Sequence, residues 1–376
     1  MKNICILPWI SIDRNRTRSS DEVSLAPCCL YESKISHTNI DDYWNSNEIV
    51  ELRSDFLEGK KPAGCRLCWE NEDKGFSSLR QSVNKGRLQS YKDRLTKTNL
   101  EDKPSQVKYT AGTECNLACR MCLPTFSSKV KKVWEIINRK PNTEADELLN
   151  NDKYILANRK YIDYIDITGG EPFFHKNVKN LLKELIVSND NEHITLHIVT
   201  NATRIDQNTI ELLKKFKDVV LSISMDGIGK IQEYIRPGCS WKVLEKNIKL
   251  LQDNNFSLQV DSTISVLNII HLEELEKWCM DNNIHWANPT VVYNPPELCP
   301  HNLPYQLHED VPQKYKKYLD KPMSDDPVGF IKDLDRYWNT DIVKHMPEWN
   351  KVFNNLHWQN NNKLIELYKI AKKYVG

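Results

Sequence analysis

A chain of 376 residues is long enough to bury a sizeable core and to form two or three domains, and a single large α/β barrel is also within its reach. Its 52 Lys and Arg residues balance 51 Asp and Glu, and a net charge of +1 supplies no long-range field to draw in nucleic acid or an anionic membrane. No run of about 18 apolar residues is present, and the start is interrupted too soon by Asp13, Arg14 and Arg16 to read as a secretory signal, so a cytoplasmic protein without membrane or nucleic-acid partners is expected.

Residues 1–84 read as a cysteine-bearing unit with little strand periodicity and one helical stretch from Asp42 to Leu57, which Gly59 and Pro62 would end. Residues 85–105 are dense in Lys, Arg, Asp and Gln and read as a charged linker or exposed helix. From 106 to 300 short apolar strands alternate with amphipathic helices, the pattern of βα units on a parallel sheet. Strands are expected near 107–112, 162–168, 193–200, 218–226, 257–266 and 285–293, and helices near 125–139, 175–187, 207–216, 241–254 and 271–282. Residues 301–376, which carry Trp338, Trp349, Phe353 and Trp358, read as a C-terminal helical extension.

Parallel strands buried on both faces should be continuous runs of Val, Ile and Leu. The fourth strand instead alternates Leu221, Ile223 and Met225 with Ser222, Ser224 and Asp226, and the fifth sets Val260, Ser262, Ile264 and Val266 against Gln259, Asp261, Thr263 and Ser265. If the apolar face meets the outer helices, the polar face lines a cavity.

Eleven cysteines in a reducing compartment point to metal ligands or reactive thiols rather than disulfides. Eight fall into close groups: Cys5, Cys28, Cys29, Cys65, Cys68 and the triplet Cys115, Cys119 and Cys122. Cys239, Cys279 and Cys299 stand alone and read as small buried hydrophobes, Cys239 keeping a redox option beside Arg236-Pro237-Gly238. The run Cys115-Asn116-Leu117-Ala118-Cys119-Arg120-Met121-Cys122 offers three thiolates to a cubane cluster that needs four ligands, which leaves one iron open. Downstream, Gly169-Gly170-Glu171-Pro172 is a sharp turn in which glycine permits close backbone approach to a ligand.

The triplet resembles the CxxxCxxC signature of the radical SAM superfamily, and Gly169-Gly170-Glu171-Pro172 resembles the segment that holds the methionine amino group of S-adenosylmethionine (SAM) there. That resemblance implies a partial (β/α)6 TIM-like barrel of the α/β class, a 4Fe-4S cluster on Cys115, Cys119 and Cys122, and SAM held by Gly169, Gly170 and Glu171. Thr200-Asn201-Ala202-Thr203 and Ser224-Met225-Asp226-Gly227 look like segments that approach the ribose and carboxylate, through Asn201 and Ser224. Arg236 is similar to an arginine that pairs with the SAM carboxylate in a bidentate fork, and Asn268 would reach the ribose or adenine. Glu114, Asp261 and Trp286 fall near strand ends without an assigned role, and no general acid or base is assigned.

The N-terminal cysteines, with Gly75, Ser77 and Arg80, resemble the auxiliary-cluster module called SPASM, or its shorter form, twitch, placed here before the barrel. The ligands implied are Cys5, Cys28, Cys65 and Cys68, with Cys29 an alternate to Cys28, and a four-cysteine zinc site is the rival occupant. The enzyme expected cleaves SAM reductively to a 5′-deoxyadenosyl radical, with a donor such as flavodoxin or ferredoxin, and abstracts hydrogen from a peptide or protein. Alternatives are a small-molecule substrate (amino acid, sugar or nucleotide), a methylating reaction, or a zinc-stapled binding protein without catalysis. Cobalamin is not expected, because no extra α/β binding domain precedes the barrel.

Overall fold

The computed structural model describes residues 3–16, 23–32, 37, 39–73, 75, 77–85, 87–139, 151–287 and 289–354. Its strands are β1 (Ser11–Arg16), β2 (Val23–Ala26), β3 (Gln106–Thr110), β4 (Tyr164–Thr168), β5 (Thr195–Thr200), β6 (Asp218–Ser224), β7 (Ser257–Asp261), β8 (Thr263–Ile264), β9 (His285–Trp286) and β10 (Thr290–Val291). Eight of them form one sheet in the order β2-β1-β3-β4-β5-β6-β7-β9, and β8 pairs with β10 apart from it. β1·β3, β3·β4, β4·β5, β6·β7 and β7·β9 run parallel, and β1·β2 is antiparallel. The fold is a mixed α/β sheet with helical crossovers, the open and largely parallel arrangement of a partial TIM-like barrel.

Chain contacts divide the protein into two compact units: Met1–Gly112 with Ala145–Ile198 and Glu211–Val219, and Thr113–Glu144 with Val199–Ile210 and Val220–Gly376. In the first, the N-terminal segment packs around fully buried Ile6, Trp9, Ile10 and Tyr43. It also contains strands, against the sequence expectation. β1 joins β3 in register, Ser11 opposite Gln106 and Ile12 opposite Val107. Alternation was weak there because Ile12 is the one apolar side chain of Ser11-Ile12-Asp13-Arg14-Asn15-Arg16.

The helix expected from Asp42 to Leu57 is two, Ile40–Trp44 and Asn47–Leu57. Asn39 caps the first through Asp41 N and Asp42 N. The break falls at Asn45, whose amide is spent on Leu100: Nδ2 donates to Leu100 O at 2.7 Å and Oδ1 accepts from Leu100 N at 3.0 Å. Residues 85–105 carry two 3-10 turns, Leu88–Tyr91 and Arg94–Thr96, whose neighbourhood is tied down by buried donors. Trp9 Nε1 donates to Lys97 O at 2.7 Å, and Arg53 NH1 donates to Thr98 O at 2.8 Å.

In the second unit the strand expected at 257–266 ends at Asp261, and Thr263–Ile264 turns to pair with Thr290–Val291. Two side chains take the backbone there: Asp226 Oδ1 accepts from Thr263 N at 2.9 Å, and Asn268 Nδ2 donates to Thr263 O at 2.9 Å. The expected strand at 285–293 splits into β9 and β10 for the same reason, since each half follows a different partner. The C-terminal extension is helical over Pro327–Trp338, Ile342–His345 and Asn350–Phe353, with Trp349 fully buried in the core of this unit. Trp358 lies outside the described residues. Among the described residues no helix is long and apolar enough to cross a membrane.

Candidate metal and cofactor sites

The loop from Cys115 to Cys122 is pinned along its backbone to the segment after the helix Gly229–Ile235. Ala118 N donates to Pro237 O at 3.1 Å and Arg120 N to Ile235 O at 2.9 Å, while Cys122 N donates to Cys119 O at 3.0 Å. Leu117 and Ala118 are buried and Arg120 is sunk beside them, its guanidinium 3.8 Å above the Tyr234 ring and 2.9 Å from Asp335. Anchoring these intervening residues leaves the three half-buried cysteines on the other side of the loop, all unbridged. Burial pushes the Cys119 and Cys122 thiols above their ordinary value, and at Cys122 the next contributions come from Cys119 and Cys115. The three sulfurs therefore share one neighbourhood.

Two polar side chains face that neighbourhood. Asn201 places Nδ2 4.0 Å from Cys115 Sγ, its Oδ1 accepting from Thr203 N at 3.0 Å. Arg236 puts NH1 3.7 Å from Cys119 Sγ, while its Nε donates to fully buried Asp226 Oδ2 at 2.7 Å. Burial alone would lower the guanidinium; Asp226 and Cys119 beside it hold it above its ordinary value, so it stays charged. Gln232 fixes this arrangement, accepting from Asp226 N at 2.9 Å and donating to Ser224 O at 3.2 Å. Ser224 is half-buried at the end of β6. Asn268 is not brought to the sulfurs: it is fully buried, and its Oδ1 accepts from Ser265 N at 2.8 Å in its own turn. Cys239, isolated in sequence, is an electrostatic neighbour of Cys119, and its thiol is pushed up to about 11, chiefly by burial.

In the first unit, Gly169 has φ +140, and a Cβ there would lie 2.9 Å from Gly112 O. Gly170 N donates to Gly112 O at 2.7 Å, which closes the turn against the end of the neighbouring strand. Glu171 is buried and its Oε1 accepts from Phe173 N at 3.3 Å, capping the turn Pro172–Phe174. Sequence reasoning passed over Gly112, at φ +149, where a Cβ would meet His175 Cε1 at 2.5 Å. Its signal was a glycine directly after an apolar strand.

Cys5, Cys28, Cys65 and Cys68 line one small cavity together with Arg80. Burial pushes Cys5 up to about 12 and also raises the other three, each of which feels at least one of the set or is felt by it. Arg80 is held in place by Glu72 at 2.9 Å through Nε, by Ile4 O at 2.9 Å, and over the Trp69 ring at 4.7 Å. Cys29 is solvent-exposed and lines a different cavity, beside Asp13, Lys108 and Asp166. No three Cys, His, Asp or Glu side chains among the described residues are set for a single metal ion.

Residues 109–279 match the model of the radical SAM superfamily. That stretch is similar to the radical SAM superfamily. Among curated proteins none matches the sequence. Of solved structures, anSMEcpe with bound AdoMet is 16% identical, covering 50% of this chain and 52% of that one at a TM-score of 0.40. SuiB from Streptococcus suis bound to SAM is 14% identical over 93% of this chain and 75% of that one, with a TM-score of 0.42. The radical SAM methyltransferase TsrM from Kitasatospora setae, with cobalamin and a 4Fe-4S cluster, is 12% identical over 50% and 34%, at 0.34. The chain thus spans about half the length of the anSMEcpe structure it matches. A 4Fe-4S cluster and SAM are the cofactors that this similarity implies, and the donors present would fit them: three unbridged thiols in one neighbourhood beside a charged guanidinium.

Proposed function

We propose that this protein is a radical SAM enzyme that cleaves SAM reductively and abstracts hydrogen from a peptide or protein substrate. The observation that supports the SAM-cleaving part is that Cys119 and Cys115 both act on the Cys122 thiol while Arg236 NH1 lies 3.7 Å from Cys119 Sγ. When bound, the cluster and SAM supply a one-electron cleavage that yields a 5′-deoxyadenosyl radical. The chain's part is to hold and orient. Cys115, Cys119 and Cys122 hold the cluster, and Arg236, kept charged by Asp226, pairs with the SAM carboxylate. Gly169 and Gly170 let the backbone approach the methionine end, Glu171 favours its ammonium, and Asn201 and Ser224 flank the ribose and carboxylate. Asn268, expected at the ribose or adenine, also fixes the turn at Ser265.

Cys5, Cys28, Cys65 and Cys68 hold an auxiliary 4Fe-4S cluster, with Arg80 as the cation of its lining. The likeness of this cysteine pattern to SPASM and twitch modules, frequent in peptide-modifying enzymes, favours a peptide over a small molecule. A flavodoxin- or ferredoxin-type protein supplies the electron. The test is anaerobic reconstitution followed by iron, sulfide and zinc analysis and a 5′-deoxyadenosine assay with dithionite. About eight irons per chain with 5′-deoxyadenosine formed is the expected outcome, from two four-iron clusters. Zinc alone, or iron without SAM cleavage, would overturn the proposal.

A further inference from the structure

Arg120 directly follows Cys119 inside the triplet, and its side chain is fully buried. Iron ligation by the cysteines does not require a cation at this position, and a buried guanidinium is costly unless a carboxylate and further acceptors meet it. They come from two places, both in the second unit. On one side Nε donates to Tyr234 O at 2.8 Å, with the guanidinium 3.8 Å from the centre of the Tyr234 ring. On the other, NH2 donates to Thr340 Oγ1 at 2.7 Å and lies 2.9 Å from Asp335 Oδ1.

Asp335 is itself fixed. It sits in the last turn of the helix Pro327–Trp338, which ends at Asn339 in the left-handed region, φ +50. That reversal returns Thr340 N to Asp335 O at 2.9 Å, and the carboxylate accepts from Thr340 Oγ1 at 2.8 Å and from Ile342 N at 2.9 Å. The short helix Ile342–His345 then meets the helix Gly229–Ile235: His345 Nδ1 lies 3.2 Å from Lys230 O, and its ring 5.0 Å from the Tyr234 ring. Gly229–Ile235 leads straight into Arg236, and the backbone donors Arg120 N and Ala118 N hold Ile235 O and Pro237 O on either side of it. Arg120 therefore joins three parts at one point: the cysteine loop, the segment that carries Arg236, and the C-terminal extension. The 3.7 Å between Cys119 Sγ and Arg236 NH1 is measured across that junction.

We infer that Arg120 and Asp335 are positioning residues: through their ion pair the C-terminal extension holds the cysteine loop in register with the segment that carries Arg236. A buried ion pair is a weak source of stability, and fixing a register is the use for which it is best suited. A ligand held both at the cluster and at Arg236 depends on that register, whereas a ligand that reaches neither does not. The two grips are those of the methionine end of SAM in the function proposed above, on which this inference rests.

The test compares SAM with 5′-deoxyadenosine, which shares the adenosine moiety but lacks the methionine end. Both are titrated calorimetrically into the anaerobically reconstituted protein and its Asp335→Asn and Arg120→Met variants, with iron analysis alongside. Asp335→Asn removes the charge that faces Arg120, and Arg120→Met leaves Asp335 its bonds from Thr340 and Ile342. Both variants are expected to keep their iron and to bind SAM on the order of tenfold more weakly, the worth of one hydrogen bond to a charged group, while the affinity for 5′-deoxyadenosine stays within about twofold. Equal losses for the two ligands would mark general damage to the site and overturn the inference, as would an unaltered SAM affinity. Should both variants lose their iron, hydrogen exchange in the unsubstituted protein decides. Coupling between sites is reciprocal, so bound SAM should slow exchange at the amides of Thr340 and Ile342, and 5′-deoxyadenosine should not. No slowing, or equal slowing by both ligands, overturns the inference. The two proposals fail differently: an unsubstituted protein that does not bind SAM removes the proposed function and this inference with it, whereas SAM bound and cleaved without regard to Asp335 and Arg120 removes this inference alone.

Discussion

Arg236 shows how much of the site depends on single contacts. Its Nε is committed to Asp226 at 2.7 Å, which directs NH1 toward Cys119 Sγ. Lysine at this position keeps the charge and loses the fork. Arg236→Lys is therefore expected to keep its iron but to bind SAM roughly ten- to a hundredfold more weakly, the cost of about 1.5–3 kcal/mol for a lost hydrogen bond to a charged group. Isothermal titration with SAM, alongside iron analysis, checks this. At the N-terminal cysteines the structure separates two neighbours that the sequence left as alternates. Cys28 lines the cavity shared by Cys5, Cys65 and Cys68, and Cys29 does not. Cys28→Ser should lose the auxiliary metal while Cys29→Ser retains it, read by metal content per chain. The triplet and Gly169-Gly170 stand out in the sequence because ligand count and close backbone approach restrict residue type and spacing together, and their roles toward a cluster and SAM are the proposal made above. Asn268 carries less information, because asparagine at a strand end serves a turn as readily as a ligand, and here both ends of its amide are used within residues 263–268.

Elements with strong periodicity were readable, and those held by side chain to backbone bonds were not. The expected helices near 175–187 and 241–254 match Lys176–Val187 and Trp241–Asp253 closely, since each buries an apolar stripe. β1 and the split at Ser262 were hidden, because pairing with β3 and the grip of Asp226 and Asn268 on Thr263 are long-range facts. A similar long-range tie governs the start of the helix Leu272–Asp281. His271 Nε2 meets Glu348 Oε1 at 2.7 Å, and Nδ1 meets Glu274 Oε1 at 3.3 Å. Burial would lower this imidazole, but Glu348 and then Glu274 hold it above its ordinary 6.5. A raised folded-state value means that the stabilisation is complete below about pH 6.5 and is lost as pH rises through the folded value. Hydrogen exchange in residues 342–353 should therefore quicken as pH passes from 6 to 9, after correction for the intrinsic rate. Glu348→Gln should flatten that dependence, and an unchanged slope would show that the pair is not responsible.

Across the whole molecule, the two compact units are each assembled from separate stretches of chain, so neither coincides with a continuous segment. The second unit draws its C-terminal residues into the core, with Trp349 and Met346 fully buried. Trp349→Ala should lower the unfolding free energy by about 3–5 kcal/mol, the usual cost of removing a buried aromatic. Denaturant titration of the reconstituted protein measures it. The central claim is that the triplet leaves one iron open to SAM. Electron paramagnetic resonance of the dithionite-reduced Cys28→Ser enzyme, titrated anaerobically with SAM, tests it most directly. A reduced-cluster signal whose g-values shift on adding SAM, and which is lost in the additional Cys119→Ala variant, is the predicted result. A signal that SAM leaves unaltered, or one that persists without Cys119, would contradict it.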